Sequence, residues 1–216
     1  MTSQDTRCRI LPRPFKLRPS CELPKYYDLE RYLFGPVRER FNQEGVIDPI
    51  DFYMILIWKS NRSKNYGKDR LFEAAGNFPT TVKKIADAVY QARGPKERFR
   101  ILLDEPWKFS VALGSAILTV LYPLDFTVCD TRVCHQLHKM MKSPPGAPSF
   151  PKTLSASMSR FELVWRQYKT FRKAVEDYTP PELCLRDKDR YLFGKSFYKQ
   201  ALDDAVKPPA LHSAIA

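Results

Sequence analysis

The sequence predicts an all-α fold on three observations. Apolar residues return at helical spacing along most of the chain, N-cap and first-turn proline signals mark where helices begin, and strand signals are nearly absent. The clearest helix follows the cluster Pro144, Pro145, Gly146, Pro148 and Pro151, which no helix can cross. There Leu154, Met158, Phe161, Trp165, Tyr168, Phe171, Val175 and Tyr178 share one stripe, with Arg160, Arg166, Lys169, Arg172 and Lys173 between them. The one β-like stretch, Phe126 with Thr127, Val128 and Cys129, is short for a sheet.

The remaining elements follow in chain order. Residues 1–25 read as an extended basic arm. Pro12, Pro14, Pro19 and Pro24 exclude a helix, and Arg7, Arg9, Arg13, Lys16 and Arg18 add charge, so the arm lies in solvent or along a phosphate backbone. Helical patterning starts at Tyr27. Asp48 and Pro49 open an apolar helix over 52–58, and Thr80 or Thr81 caps another with Val82, Ile85, Ala86, Val89 and Tyr90 on one face. Pro106 begins a segment that ends at Tyr122 and Pro123, and Asp130 with Thr131 starts the next helix. A final helix follows Arg186, and Pro208 with Pro209 closes the ordered part. The expected organisation is one helical domain over 26–206, with its core at about 48–137, and a flexible tail at 207–216. An octet at 28–35, Asp-Leu-Glu-Arg-Tyr-Leu-Phe-Gly, returns at 187–194 as Asp-Lys-Asp-Arg-Tyr-Leu-Phe-Gly. Either two equivalent helices pack together and bring the termini into one lobe, or the echo is chance.

Composition narrows the function classes. With 216 residues, 44% of them hydrophobic, the chain can bury a full core. Lys and Arg outnumber Asp and Glu by 36 to 24, and a net charge of +12 points to a polyanionic partner, nucleic acid first. The longest apolar run, 111–122, is broken by Gly114, Ser115 and Thr119 and is too short to span a bilayer, so no membrane role and a cytoplasmic or nucleoid location are expected. The five cysteines, Cys8, Cys21, Cys129, Cys134 and Cys184, form no CxxC pair, which argues against a disulfide framework, a zinc site or an iron–sulfur site. His135 and His138 read as ordinary helix residues. The expectation is therefore no metal and no cofactor, in a monomer.

The most informative stretch is 112–133, Ala-Leu-Gly-Ser-Ala-Ile-Leu-Thr-Val-Leu-Tyr-Pro-Leu-Asp-Phe-Thr-Val-Cys-Asp-Thr-Arg-Val. Gly114, Ser115 and Ala116 allow close backbone approach in a buried helix that stops at Pro123. A short extended link then delivers Asp130 to the start of a helix, where the dipole favours a carboxylate. On spacing alone, a plain N-cap aspartate is the favoured reading.

In detail the stretch resembles the core of the helix-hairpin-helix DNA glycosylases, over about 48–137. In that family a hairpin between two helices grips a DNA phosphate, and a Val-Asp-Thr-His-Val-like motif carries the catalytic aspartate. Residues 128–133, Val-Cys-Asp-Thr-Arg-Val, stand in that place, with Cys129 inserted and Arg132 for the histidine; Asp130 is the matched catalytic residue. A weaker match lies upstream, where the family's helix end enters the duplex. Lys59, Ser60, Asn61 and Arg62 would face DNA there, or form an ordinary solvated terminus. The chain departs from the pattern as well. The hairpin's Gly-(Val/Ile)-Gly is replaced by the region from Trp107 to Gly114, with one glycine, so Lys108 is expected to supply charge. The lysine nucleophile of bifunctional members would fall near Ala112, and none is there.

The resemblance implies two helical lobes around a DNA-binding cleft, with Lys59, Ser60, Asn61, Arg62, Lys108, Gly114 and Arg132 toward DNA. Trp58 and Trp107 are the expected walls of a base pocket. The implied activity is that of a monofunctional DNA glycosylase. It flips a modified base out of double-stranded DNA and hydrolyses its N-glycosidic bond without forming a Schiff base. The target is unspecified, and a hypermodified base in phage DNA fits a defence role. The alternative is a non-catalytic helix-hairpin-helix DNA-binding module.

Overall fold

The structure, a computed structural model, describes residues 20–61, 64–75, 77–141 and 161–205. Among them every regular element is helical. A 3-10 turn, Ser20–Tyr26, leads into α1 (Leu29–Tyr32), a π-turn (Leu33–Val37) and α2 (Arg38–Glu44). Asp28 caps α1 by accepting from the Arg31 N–H. α2 ends at Gly45, whose φ of +69° is the left-handed stop that glycine takes most cheaply. Then follow α3 (Pro49–Ser60), α4 (Lys64–Ala75), α5 (Phe78–Gln91), α6 (Pro95–Leu103), α7 (Val111–Leu121), α8 (Thr131–Met140), α9 (Phe161–Asp177) and α10 (Leu185–Ala205).

The expected start of α3 holds: the Asp48 side chain accepts from the Ile50 N–H, with Pro49 in the first turn. Two other starts differ. α5 is capped by Asn77, which accepts from the Thr80 N–H at 2.9 Å, so neither Thr80 nor Thr81 is the cap. The Thr81 hydroxyl is buried and donates back to the carbonyls of Asn77 and Leu71. Pro79 explains the shift, because it occupies the first turn, where its missing N–H costs nothing. Likewise Pro106 begins no helix; it stands in the turn between α6 and α7, and Ser110 caps α7. The long stripe expected after the proline cluster is helical as α9; its Leu154 and Met158 lie outside the described residues, as does the arm up to residue 19.

α7 is the central rod, buried almost throughout. α2, α3 and α6 pack on it, α4 and α5 extend the α3 and α6 side, and α8, α9 and α10 pack on one another. Gly114 marks the closest approach, since a Cβ there would fall 2.7 Å from Leu103 Cδ1. One apolar cluster runs from Tyr32 to Leu192, with the stacked rings of Phe99, Trp165 and Tyr168 at its α6–α9 seam. The two octets do meet: Glu30 Oε1 of the first forms an ion pair with Arg190 Nε of the second at 3.3 Å, and it accepts from Arg186 Nη2, just before the second, at 2.7 Å.

Candidate active site

Residues 126–129 belong to no helix, and the described residues hold no strand for them to pair with, so their backbone amides need other acceptors. Three helices supply them in turn. The Thr127 N–H donates to the Tyr168 hydroxyl of α9 at 3.0 Å, and that hydroxyl donates back to the Thr127 carbonyl at 2.8 Å. The Val128 N–H donates to Asp189 Oδ2 of α10 at 3.3 Å, which also accepts from Thr127 Oγ1 at 3.0 Å. The Cys129 N–H donates to Ser115 Oγ of α7 at 2.9 Å. Burial pushes the Tyr168 phenol well above its usual range, so it stays protonated and can serve both bonds. Small, polar Ser115 in a buried helix thus has a purpose: it meets an amide that no helix or sheet satisfies.

This pinned segment delivers Asp130 to the N-cap of α8. Asp130 Oδ1 accepts from the Arg132 N–H at 2.8 Å, as a cap does. Asp130 Oδ2 accepts from Lys59 Nζ of α3 at 2.6 Å. The pair is largely sheltered, at 13% side-chain exposure for Lys59 and 23% for Asp130. Both groups line a cavity of about 370 Å³ with Trp58, Val128, Val133, Glu30, Arg186, Asp189, Arg190 and Phe193. One wall is aromatic. Phe34 meets Trp58 edge-on at 5.5 Å, and the Arg186 guanidinium lies over both rings, 5.0 and 5.2 Å from their centres. Arg186 also holds Asp189 Oδ1 and Glu30 Oε1. Burial lifts the Asp189 carboxyl to about 6, against the pull of Arg186.

The sequence-expected residues divide. Asp130, Lys59 and Trp58 come together at the cavity. Arg132 stands at its edge, donating to Gln200 Oε1 at 2.6 Å with its guanidinium 6.0 Å from the Phe193 ring. Ser60 and Lys59 border a second, smaller cavity of about 80 Å³ with Lys64, Ser110 and Ala112. Asn61 is exposed at the end of α3 and accepts from Lys64 Nζ; Arg62 lies outside the described residues. Lys108 is exposed on the hairpin beside Glu105. One expectation fails: Trp107 is buried in the apolar core and does not line the cavity, because the hairpin turns its ring inward. Gly114 is buried at the α6–α7 crossing, where an added Cβ would meet Leu103.

Sequence reasoning missed Glu30, Arg186, Asp189, Arg190 and Phe193. The signal was the octet echo: Glu30 belongs to its first copy, and Asp189, Arg190 and Phe193 to its second. Among the described residues no three His, Cys, Asp or Glu side chains converge as a metal site requires, and no helix is long and apolar enough to cross a membrane. A comparison with family models, curated proteins and solved structures finds no match to this chain.

Proposed function

We propose that this chain is a DNA N-glycosylase of the helix-hairpin-helix kind, binding DNA across two helical lobes and releasing a modified base at Asp130. One observation carries the reading: a carboxylate at a helix N-terminus, sheltered and salt-bridged, stands on the wall of a part-aromatic cavity. The upstream geometry supports it. α6, a seven-residue connection and α7 form a helical hairpin directly before the segment that delivers Asp130. Lys108 in that hairpin has φ +47°, the left-handed region a glycine adopts without strain, beside buried Phe109.

In this mechanism the target nucleotide leaves the stack and its base enters the cavity against Trp58. The Asp130 carboxylate then faces C1′. It stabilises the positive charge that grows as the glycosidic bond breaks, and it takes a proton from the attacking water. The cavity leaves room for an enlarged base, consistent with a role in removing hypermodified bases from foreign DNA.

Lys59 favours a second reading. The nucleophilic lysine expected near Ala112 is absent, but α3 brings an amine to Asp130 instead. Once Lys59 has given up a proton, its Nζ can attack C1′. The N–C1′ bond forms as the glycosidic bond breaks, and the base departs with the bonding electrons and gains a proton. The sugar ring then opens to an imine.

The test is incubation with duplexes carrying modified bases, then alkali to reveal abasic sites. Asp130→Asn keeps a good N-cap, so it should bind DNA as the parent does yet lose on the order of 100-fold or more in rate. Undiminished turnover by Asp130→Asn would remove Asp130 from the chemistry, and binding without release by the parent would favour a non-catalytic module. Borohydride separates the two mechanisms: direct hydrolysis by water gives no trapped adduct, whereas amine attack gives one that Lys59→Ala abolishes.

A further inference from the structure

Five residues of α10 wall the cavity: Arg186, Asp189, Arg190, Phe193 and Gly194. Gly194 is the odd one. Glycine is the poorest helix former after proline, and this one stands in the interior of α10, which runs on to Ala205. The chain gives no packing reason for it, since a Cβ there would meet nothing within 4 Å. The other described glycines are accounted for locally. An added Cβ would meet leucine side chains at 3.1 Å from Gly67 and 2.7 Å from Gly114. Gly45 and Gly94 stand at helix ends, and Gly35 directly precedes Pro36, whose ring crowds a preceding Cβ in a helical backbone. A side chain at 194 would lean back over the turn that carries Arg190, and so toward the cavity. What glycine keeps at this position is open space.

The lining says what could use that space. Its three cations and three carboxylates pair among themselves: Lys59 with Asp130, Arg186 with Asp189 and Glu30, and Arg190 with Glu30. The cavity therefore has no net charge for an ion to neutralise. The other lining side chains, Trp58, Val128, Val133 and Phe193, are apolar. A neutral, flat group gains most there, by replacing water against rings and methyls.

We propose that Gly194 sets the size of base the cavity accepts, its missing side chain making room against α10 for a neutral, flat group that enlarges the base beyond the four ordinary ones. The inference rests on reading the cavity as a base site and adds the residue that selects among bases. The base lies against Trp58, and the added group lies over the Gly194 backbone with Phe193 beside it.

The test is fluorescence anisotropy at one salt concentration. Four duplexes each carry one enlarged base, O6-benzylguanine, N6-benzyladenine, N4-benzylcytosine or 5-benzyluracil, and four matched duplexes carry the plain bases. The parent should bind at least one benzyl duplex about 5-fold or more tightly than its plain match. Gly194→Leu should erase that preference and leave the affinity for plain duplex unchanged, because phosphate contacts carry it. Gly194→Ala should raise the urea midpoint, because alanine favours a helix and its Cβ displaces nothing. A lowered midpoint would overturn the inference, since the chain itself would then need the glycine. So would equal weakening of benzyl and plain duplexes by Gly194→Leu. Tight binding of every duplex with no benzyl preference would overturn this inference alone, whereas failure to bind any duplex would overturn the DNA reading and this inference with it. None of these readouts needs bond cleavage.

Discussion

Asp189 is the residue on which the site turns. From α10 it holds Arg186 on one oxygen and the Thr127 hydroxyl and Val128 amide on the other, with Glu30 of α1 and Tyr168 of α9 close by. Burial raises its carboxyl from an ordinary 3.8 to about 6. Between those values the native state binds a proton that the unfolded chain does not. Its contribution to stability is therefore full below the lower value and lost as pH rises through the upper one, a change of about 3 kcal/mol at most. Asp189→Asn should remove that dependence. The difference in urea-derived stability between parent and variant should change across this window and be flat outside it; a difference flat throughout would reject the assignment. At this scale, sequence reached Asp130 because an N-cap is a local feature. It did not reach the partner of Asp130. Lys59 lies 71 positions away, and only packing of α3 beside the 126–129 segment brings the two to 2.6 Å.

Between α6 and α7 the connection makes two opposite demands on the backbone. Lys108 pays for a left-handed φ that a side chain disfavours, and Lys108→Gly should raise stability by up to about 1 kcal/mol. Gly114→Ala should do the reverse. Its Cβ would meet Leu103 Cδ1 at 2.7 Å, a methyl that must shift, with Leu102 and Phe99 in ordinary contact; set against the roughly 1 kcal/mol that alanine gains over glycine inside a helix, a net loss of no more than about 1 kcal/mol is expected. Urea midpoints at constant slope measure both. Helix existence was legible in the sequence because apolar spacing repeats within each helix, as in α5 and α9. Helix starts were less so: Asn77, Thr80 and Thr81 are all competent caps, and only the position of Pro79 decides among them. The stretch 126–129 is β-like in composition, but it forms no strand, and side chains of three helices satisfy its amides instead of a sheet.

Across the whole molecule the +12 charge has a measurable consequence. If the partner is DNA, duplex affinity should fall at least about tenfold between roughly 50 and 200 mM salt, linearly on logarithmic axes. A flat salt response would instead point to an uncharged ligand. The octet echo was the least readable clue. It marked the two segments that meet through Glu30, Arg186 and Arg190, yet eight residues cannot distinguish a shared interface from chance. Only the fold shows that these segments wall the same cavity from opposite ends of the chain.

That far-apart pairing has a consequence during synthesis. A chain emerging from the ribosome presents α3, α7 and α8, with Lys59 and Asp130, well before α10 exists. Until Arg186 and Asp189 arrive, nothing holds the Val128 amide, and the Trp58 ring has Phe34 at its edge but no guanidinium over it. The cavity is therefore the last part of the protein to become whole, and Asp130 stands on an open surface until α10 arrives. A ribosome-stalled chain ending near residue 180 should fold its α3–α7 packing yet bind no ligand in the cavity, and extension past residue 194 should restore binding in a single step.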